Sequence, residues 1–340
     1  MRIHLRWLLP LWLWGVAQAG EPGLRRFEFV ETHMGSPFKV VLYTTDEAAA
    51  RRASQAAYAR IAALDQALSD YNPESELMRL CDQAGGPPVK VSDDLFTVLE
   101  RAQDISRRSE GAFDVTVGPV VRLWRRARRT RELPDPETLK HALSLVGYQN
   151  VKLDPQSHTV QLLKPGMKLD LGGIAKGYAS GAAIAELKRL GIDRALVAGE
   201  GDIVVSGPPP EAEGWTIGIA PLEAPGTTAP SRYLLLHDAA VSTSGDAERF
   251  VEIKGKRYSH IVDPHTGVGL TERISVTVVA PDGATADVLD TTVCVLGPEK
   301  GLRLIESIPG AAALIVRGTG PDQTTIESPR WKGLHEVRKP

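Results

Sequence analysis

Apolar and polar positions change their period several times along the chain. From Phe27 to Thr44 they alternate on either side of Gly35-Ser36-Pro37, which predicts two strands joined by a turn. From Asp46 to Asp70 the spacing lengthens. Ala53, Ala57, Ile61, Leu64 and Leu68 recur at helical intervals, and Asn72-Pro73 breaks the pattern. Ser92 is placed to cap a second helix with Leu95, Val98, Leu99, Ala102 and Ile105 on one face. Asp135-Pro136 opens a third, which Gly147 ends.

Val160 to Leu163 and Lys168 to Leu171 have the pattern of a hairpin, and Ile174 to Leu190 that of a helix closed by Gly191. Strand signals then dominate: Ala195 to Val205, Trp215 to Ala220, Tyr233 to His237, Phe250 to Ile253, and Arg257 to Val262 after Lys254-Gly255. Ile274 to Ala280 is apolar enough for a strand buried on both faces. Ala284 to Leu296 and Pro298 to Ile308 are helical, and Ala311 to Val316 is a last strand. Helices and strands do not alternate regularly, so the fold class is α+β with mixed sheets rather than doubly wound. Pro208-Pro209-Pro210 and Pro221 to Pro230 are expected as surface loops.

The first 19 residues fit a removable signal peptide. Arg2 and Arg6 precede the apolar run Trp7 to Val16, and Ala17-Gln18-Ala19 supplies small residues for cleavage. No cysteine follows that would carry a lipid anchor. The expectation is a single mature domain over residues 20–340 in the periplasm, without a transmembrane segment. A net charge of −2 gives the whole molecule no field that favours nucleic acid. The only cysteines, Cys81 and Cys294, lack the spacing of a zinc site. An oxidising compartment permits their pairing, and the sequence does not decide it. Arg122, Arg125, Arg126, Arg128, Arg129 and Arg131 crowd one segment, which is read as a solvated helix end or loop.

Four groups of residues carry candidate chemistry. In Ala286-Asp287-Val288-Leu289-Asp290-Thr291-Thr292, a helix puts Asp287, Asp290 and Thr291 on one face. Such a face either serves a hard cation such as magnesium or calcium, or lies exposed as a helix start. His260 stands three residues before the turn Asp263-Pro264-His265-Thr266-Gly267, as a proton acceptor or as a structural histidine. Asp170-Leu171-Gly172-Gly173-Ile174-Ala175-Lys176 feeds a glycine turn into a helix start, either a phosphate cradle or a plain tight turn. Met34-Gly35-Ser36 and the Tyr71 segment offer an aromatic surface for a flat ring, or merely a turn and a helix end.

Taken in order, these segments resemble the FAD:protein FMN transferase family, formerly described as the thiamine-biosynthesis ApbE lipoproteins. Gly111-Ala112-Phe113-Asp114-Val115-Thr116, Leu123-Trp124 and Thr243-Ser244-Gly245-Asp246 add to the likeness, which runs from about Phe27 to Ile315. The resemblance implies an ApbE-like, T-fold-like, two-lobed domain with FAD in the cleft between lobes. It implies that Met34 and Tyr71 hold the isoalloxazine, and that Asp114, Val115, Thr116, Asp170, Lys176 and Ile261 line the FAD site. It further implies that Asp287, Asp290, Thr291 and the Gly173 carbonyl ligate Mg2+, and that His260 is the base. The activity implied is transfer of FMN from FAD to a Thr or Ser of a target flavoprotein subunit in respiratory redox complexes, with release of AMP. An FAD pyrophosphatase and a non-catalytic periplasmic flavin-binding protein are the alternatives. Glu200 stands where that family usually has glycine, and His265 where arginine is common.

Overall fold

A computed structural model describes residues 23–222, 230, 232–245 and 249–338. The signal-peptide reading and Asp246 lie outside these residues. In chain order, β1 (Arg25–His33) and β2 (Ser36–Thr44) form the expected hairpin. Helix α1 (Glu47–Leu68) follows, and its first turn is capped by the Asp46 carboxylate, which accepts the Ala49 N–H at 2.8 Å. Next come α2 (Glu76–Asp82), β3 (Val89–Lys90), α3 (Asp93–Arg108), α4 (Gly118–Thr130), α5 (Pro136–Ser144), β4 (Val151–Asp154), β5 (Thr159–Leu162) and α6 (Ala175–Arg189). The C-terminal half holds β6 (Ala195–Gly199), β7 (Asp202–Val205), β8 (Trp215–Ile219), β9 (Arg232–Leu236), β10 (Ala239–Gly245), β11 (Phe250–Ile253), β12 (Lys256–Ser259) and β13 (Ile274–Ala280). It ends with α7 (Gly283–Ser307), β14 (Ala312–Arg317), β15 (Thr324–Glu327) and β16 (Glu336–Val337). Within α7, Gly297 leaves helical geometry at φ 71°, just before Pro298, so two helical stretches meet there as the sequence pattern implies.

One antiparallel sheet organises the molecule, in the order β1-β2-β6-β7-β10-β13-β14-β15. Its inner face packs on α1, α3, α6 and α7 through Phe38, Val40, Leu42, Ile61, Leu99 and Val276. Its outer face is covered in part by the small sheet β16-β9-β8, through Val41, Trp215, Leu234 and the buried Trp331. All seven residues of β13 are buried, as its unbroken apolar run requires. A second lobe gathers α4, α5 and the β11–β12 hairpin around Val120, Trp124, Val251 and Tyr258. This is the α+β architecture that the sequence implies, although every pairing among the described strands is antiparallel rather than mixed.

Two details differ from the sequence reading. Lys168–Leu171 is not a strand, although Met167, Leu169 and Leu171 are buried alternately. Its N–H groups go elsewhere: Asp170 donates to the Val115 carbonyl at 2.8 Å and Leu169 to Cys81 Sγ at 3.3 Å. The partner of β5 is β4 instead. The arginine-rich segment is the C-terminal part of α4 and its cap. Arg122, Arg126, Arg129 and Arg131 are exposed as a solvated helix end would have them, but Arg125 and Arg128 turn into a cleft. The helix is anchored by Trp124, whose Nε1–H donates to the Gly267 carbonyl at 2.7 Å. Cys81 and Cys294 are both buried thiols, and Cys294 has its own acceptor, the Ser244 carbonyl at 3.7 Å.

Candidate active site between the sheet and the second lobe

A cleft of about 910 Å³ opens where the second lobe meets the helical layer. That is ample for a dinucleotide on the scale of ligand pockets. Met34, Tyr71, Asp114, Asp170, Gly173, Lys176, His260, Ile261 and Thr291 all line it. Six separate segments are thus brought together. Val115 and Thr116 are buried and stand off the cleft wall. Thr116 donates from both N–H and Oγ1 to Asp114 Oδ1, at 2.8 and 2.6 Å, so that pair caps the short turn ahead of α4. A second groove of about 700 Å³ between the outer sheet face and β8 holds none of the candidate residues.

In the cleft, the β1–β2 turn presents Met34 with φ 50°, its N–H donating to Asp65 Oδ2 at 2.9 Å. Tyr71 follows the end of α1 and is 74 % exposed. Asp170 accepts the Gly172 N–H at 2.8 Å, which holds the glycine turn in place. Burial and the neighbouring Asp70 push the Asp170 carboxyl above the usual range, and Arg125 opposes that shift.

The floor lies at the start of α7. Asp287 and Asp290 are buried below Thr291 and do not themselves line the cleft. Asp287 Oδ2 accepts the Gly177 N–H at 2.9 Å. Gly177 and Gly283 bring α6 against α7 so closely that a Cβ on Gly177 would meet the Gly283 carbonyl oxygen at 2.1 Å. Ser242 Oγ donates to Asp290 Oδ2 and reaches Asp202 Oδ1, each at 2.6 Å. Ser244 Oγ and Thr291 Oγ1 are 3.1 Å apart. Asp202, at the start of β7, is a third buried acid here. Burial raises it to about 6, and burial with repulsion from Asp202 drives Asp287 and Asp290 well above their ordinary value. Among the described residues, no three His, Cys, Asp or Glu side chains form a ready-made metal cage. The donor set nevertheless fits a hard cation. Two buried carboxylates that repel one another meet a hydroxyl, and Gly173 packs so near that a Cβ there would lie 3.3 Å from Thr291 Oγ1.

His260 also lines the cleft, and its Nδ1 lies 3.1 Å from the Arg249 carbonyl. A carbonyl only accepts, so Nδ1 carries the proton and Nε2 is the ring's acceptor. Burial, with Arg249, Arg128 and Lys176 near, lowers the imidazole to about 4 and keeps it neutral at pH 7. Glu200, at φ 58°, binds the Lys176 ammonium and accepts from Arg249 Nη2 at 2.5 Å. In the turn after His260, His265 Nε2 contacts the Glu110 carbonyl at 2.9 Å, and Thr266 Oγ1 donates to Asp263 Oδ2 at 3.0 Å.

The family model described as "ApbE family" matches residues 34–315, most of the chain. The chain belongs to the ApbE family. Among curated ApbE relatives, the FAD:protein FMN transferase of Treponema pallidum is 34% identical over 312 residues, 87% of this chain and 86% of that protein. The FAD:protein FMN transferase of Klebsiella pneumoniae is 34% identical over 295 residues, 86% of this chain and 89% of that one. The flavin transferase ApbE from Vibrio cholerae superposes with a TM-score of 0.82 at 27% identity, covering 92% of this chain and 100% of that one. The apo flavinyl transferase ApbE of Pseudomonas stutzeri gives 0.80 at 31% identity, covering 92% and 97%. The ApbE fold therefore spans both lobes and the cleft between them.

Proposed function

We propose that this chain is an FAD:protein FMN transferase that moves FMN from FAD to a Thr or Ser hydroxyl of a target flavoprotein. The observation that carries the reading is one cleft lined by a neutral His260 and by Thr291, with the buried Asp287 and Asp290 on the same helix as that threonine. The acceptor hydroxyl attacks the FMN-side phosphorus. The phosphoanhydride bond breaks, AMP leaves, and His260 Nε2 takes the hydroxyl proton. Tyr71 and Met34 would take the flavin, with Asp170 fixing the turn beside it. Lys176, steadied by Glu200, would face the pyrophosphate. A magnesium ion held by Asp287, Asp290, Thr291 and the Gly173 carbonyl would supply charge neutralisation at the pyrophosphate.

Export through residues 1–19 belongs to the same reading, since the proposed acceptors are subunits of respiratory redox complexes. No helix among the described residues is long and apolar enough to cross a membrane. The function is tested by incubating the protein with FAD, magnesium and a candidate flavoprotein subunit, then running a denaturing gel. Fluorescence that stays with the subunit supports transfer. Free FMN and AMP with a dark subunit would mark a pyrophosphatase instead.

A further inference from the structure

The proposed chemistry leaves the arginines of α4 unused, yet Arg125 and Arg128 both line the cleft. The Arg125 guanidinium lies over the Tyr71 ring, 4.1 Å from its centroid. Its fork is fixed from two sides: Nη1 donates to Asp70 Oδ2, and Nη2 donates to Asp170 Oδ2 at 2.8 Å. Both carboxylate side chains are only 10% exposed and that of Arg125 19%, so this is not a loose surface pair. Asp70 precedes Tyr71 in the chain, while Asp170 Oδ1 holds the Gly172 N–H. One guanidinium therefore ties the aromatic platform to the glycine turn above the acidic floor. A planar fork can satisfy two carboxylates and still present a flat face to a ring, whereas an ammonium cannot.

Resting on the flavin reading above, we propose that Arg125 is a positioning residue for flavin recognition. It backs one face of Tyr71, and the isoalloxazine covers the other, giving a stack of guanidinium, phenol and flavin. The ring is held ready in the unliganded protein, so less order has to be imposed when the flavin arrives.

Riboflavin, which has no phosphate, probes this end of the cleft, and ADP with magnesium probes the other. Arg125→Lys keeps the charge and loses the fork. Riboflavin affinity, read by fluorescence quenching, should fall about five- to thirtyfold, in line with loss of a cation–π contact. ADP affinity in magnesium should change by less than about twofold, because Asp170 keeps its own bond to the Gly172 N–H and so holds the glycine turn without the fork. In a Tyr71→Ala background Arg125→Lys should have little further effect. Asp70→Asn is the second variant if Arg125→Lys does not fold, and it should weaken riboflavin in the same direction by a smaller factor. Unchanged riboflavin affinity in the variant that folds overturns the proposal. So does tighter binding, which would mean that the guanidinium occupies the flavin's place, or a loss fully additive with Tyr71→Ala. A wild-type protein that binds neither riboflavin nor FAD refutes the flavin reading itself, and the proposal with it.

Discussion

The residue with the clearest chemical assignment is His260. Its Nδ1–H is spent on the Arg249 carbonyl, and its surroundings lower it to about 4. A lowered histidine stays neutral until the pH falls to that value, so the base is lost only in acid. The acid limb of kcat/KM should therefore lie near 4 rather than near the ordinary 6.5. Initial rates of flavin transfer between pH 4 and 8 check this, and a limb at 6.5 would contradict it. His260→Ala should leave FAD affinity largely intact and cut transfer by roughly 10²–10⁴-fold. Equal loss of binding and transfer would mark the residue as structural. His260 was legible because it sits in a distinctive turn sequence. Asp65 and Arg125 were not, because each reaches the cleft from an ordinary helix, nor was Asp202, which joins the buried acids from the start of a strand. Nothing local in the sequence shows that Asp65 accepts the Met34 N–H from 31 positions away.

At the scale of elements, legibility followed local signals. The capping side chains Ser92 and Asp135 start their helices as the sequence implies, each accepting an N–H of the first turn, and Asp46 does the same for α1. Lys168–Leu171 was misread because a buried alternating pattern looks the same in a strand and in an extended segment bonded to other backbone. The seven-residue α2 was missed because it is barely two turns long. Contact between α6 and α7 makes a sharp demand on sequence. Gly177→Ala forces a methyl toward the Gly283 carbonyl oxygen, 2.1 Å from an ideal Cβ. The expected cost is about 1–3 kcal/mol, as for other overpacked sites. A urea-unfolding curve that matches wild type would show that the two helices can part without penalty. The same start of α7 carries the acids, so its metal response should be separable from its packing. Magnesium with ADP should raise the wild-type Tm, since a ligand bound only by the folded state stabilises it. Asp287→Asn or Asp290→Asn should abolish that rise while leaving the metal-free Tm close to wild type, because each removes a charge from a mutually repelling buried group. A retained magnesium response in both variants would remove these acids from the metal site.

For the whole molecule, the two lobes matter because neither alone makes the cleft. Tyr71, Asp170 and Thr291 come from the sheet-and-helix body, and Arg125, Arg128 and Arg249 from or beside the second lobe. Pyrophosphate charge and the acidic floor repel without a cation, so magnesium should tighten FAD and FAD should tighten magnesium by the same factor. Titration of FAD with and without the metal measures that coupling. The N-terminal pattern predicts a mature chain starting near Gly20, and sequencing of exported material that retained Met1 would contradict it. The central claim is that FMN leaves FAD for a protein hydroxyl rather than for water. The most direct measurement follows AMP release and acceptor-bound flavin together, in one reaction with magnesium and a target flavoprotein subunit. The account predicts one AMP for each flavin fixed to a Thr or Ser of the acceptor. AMP released with free FMN, and none on the acceptor, would contradict it.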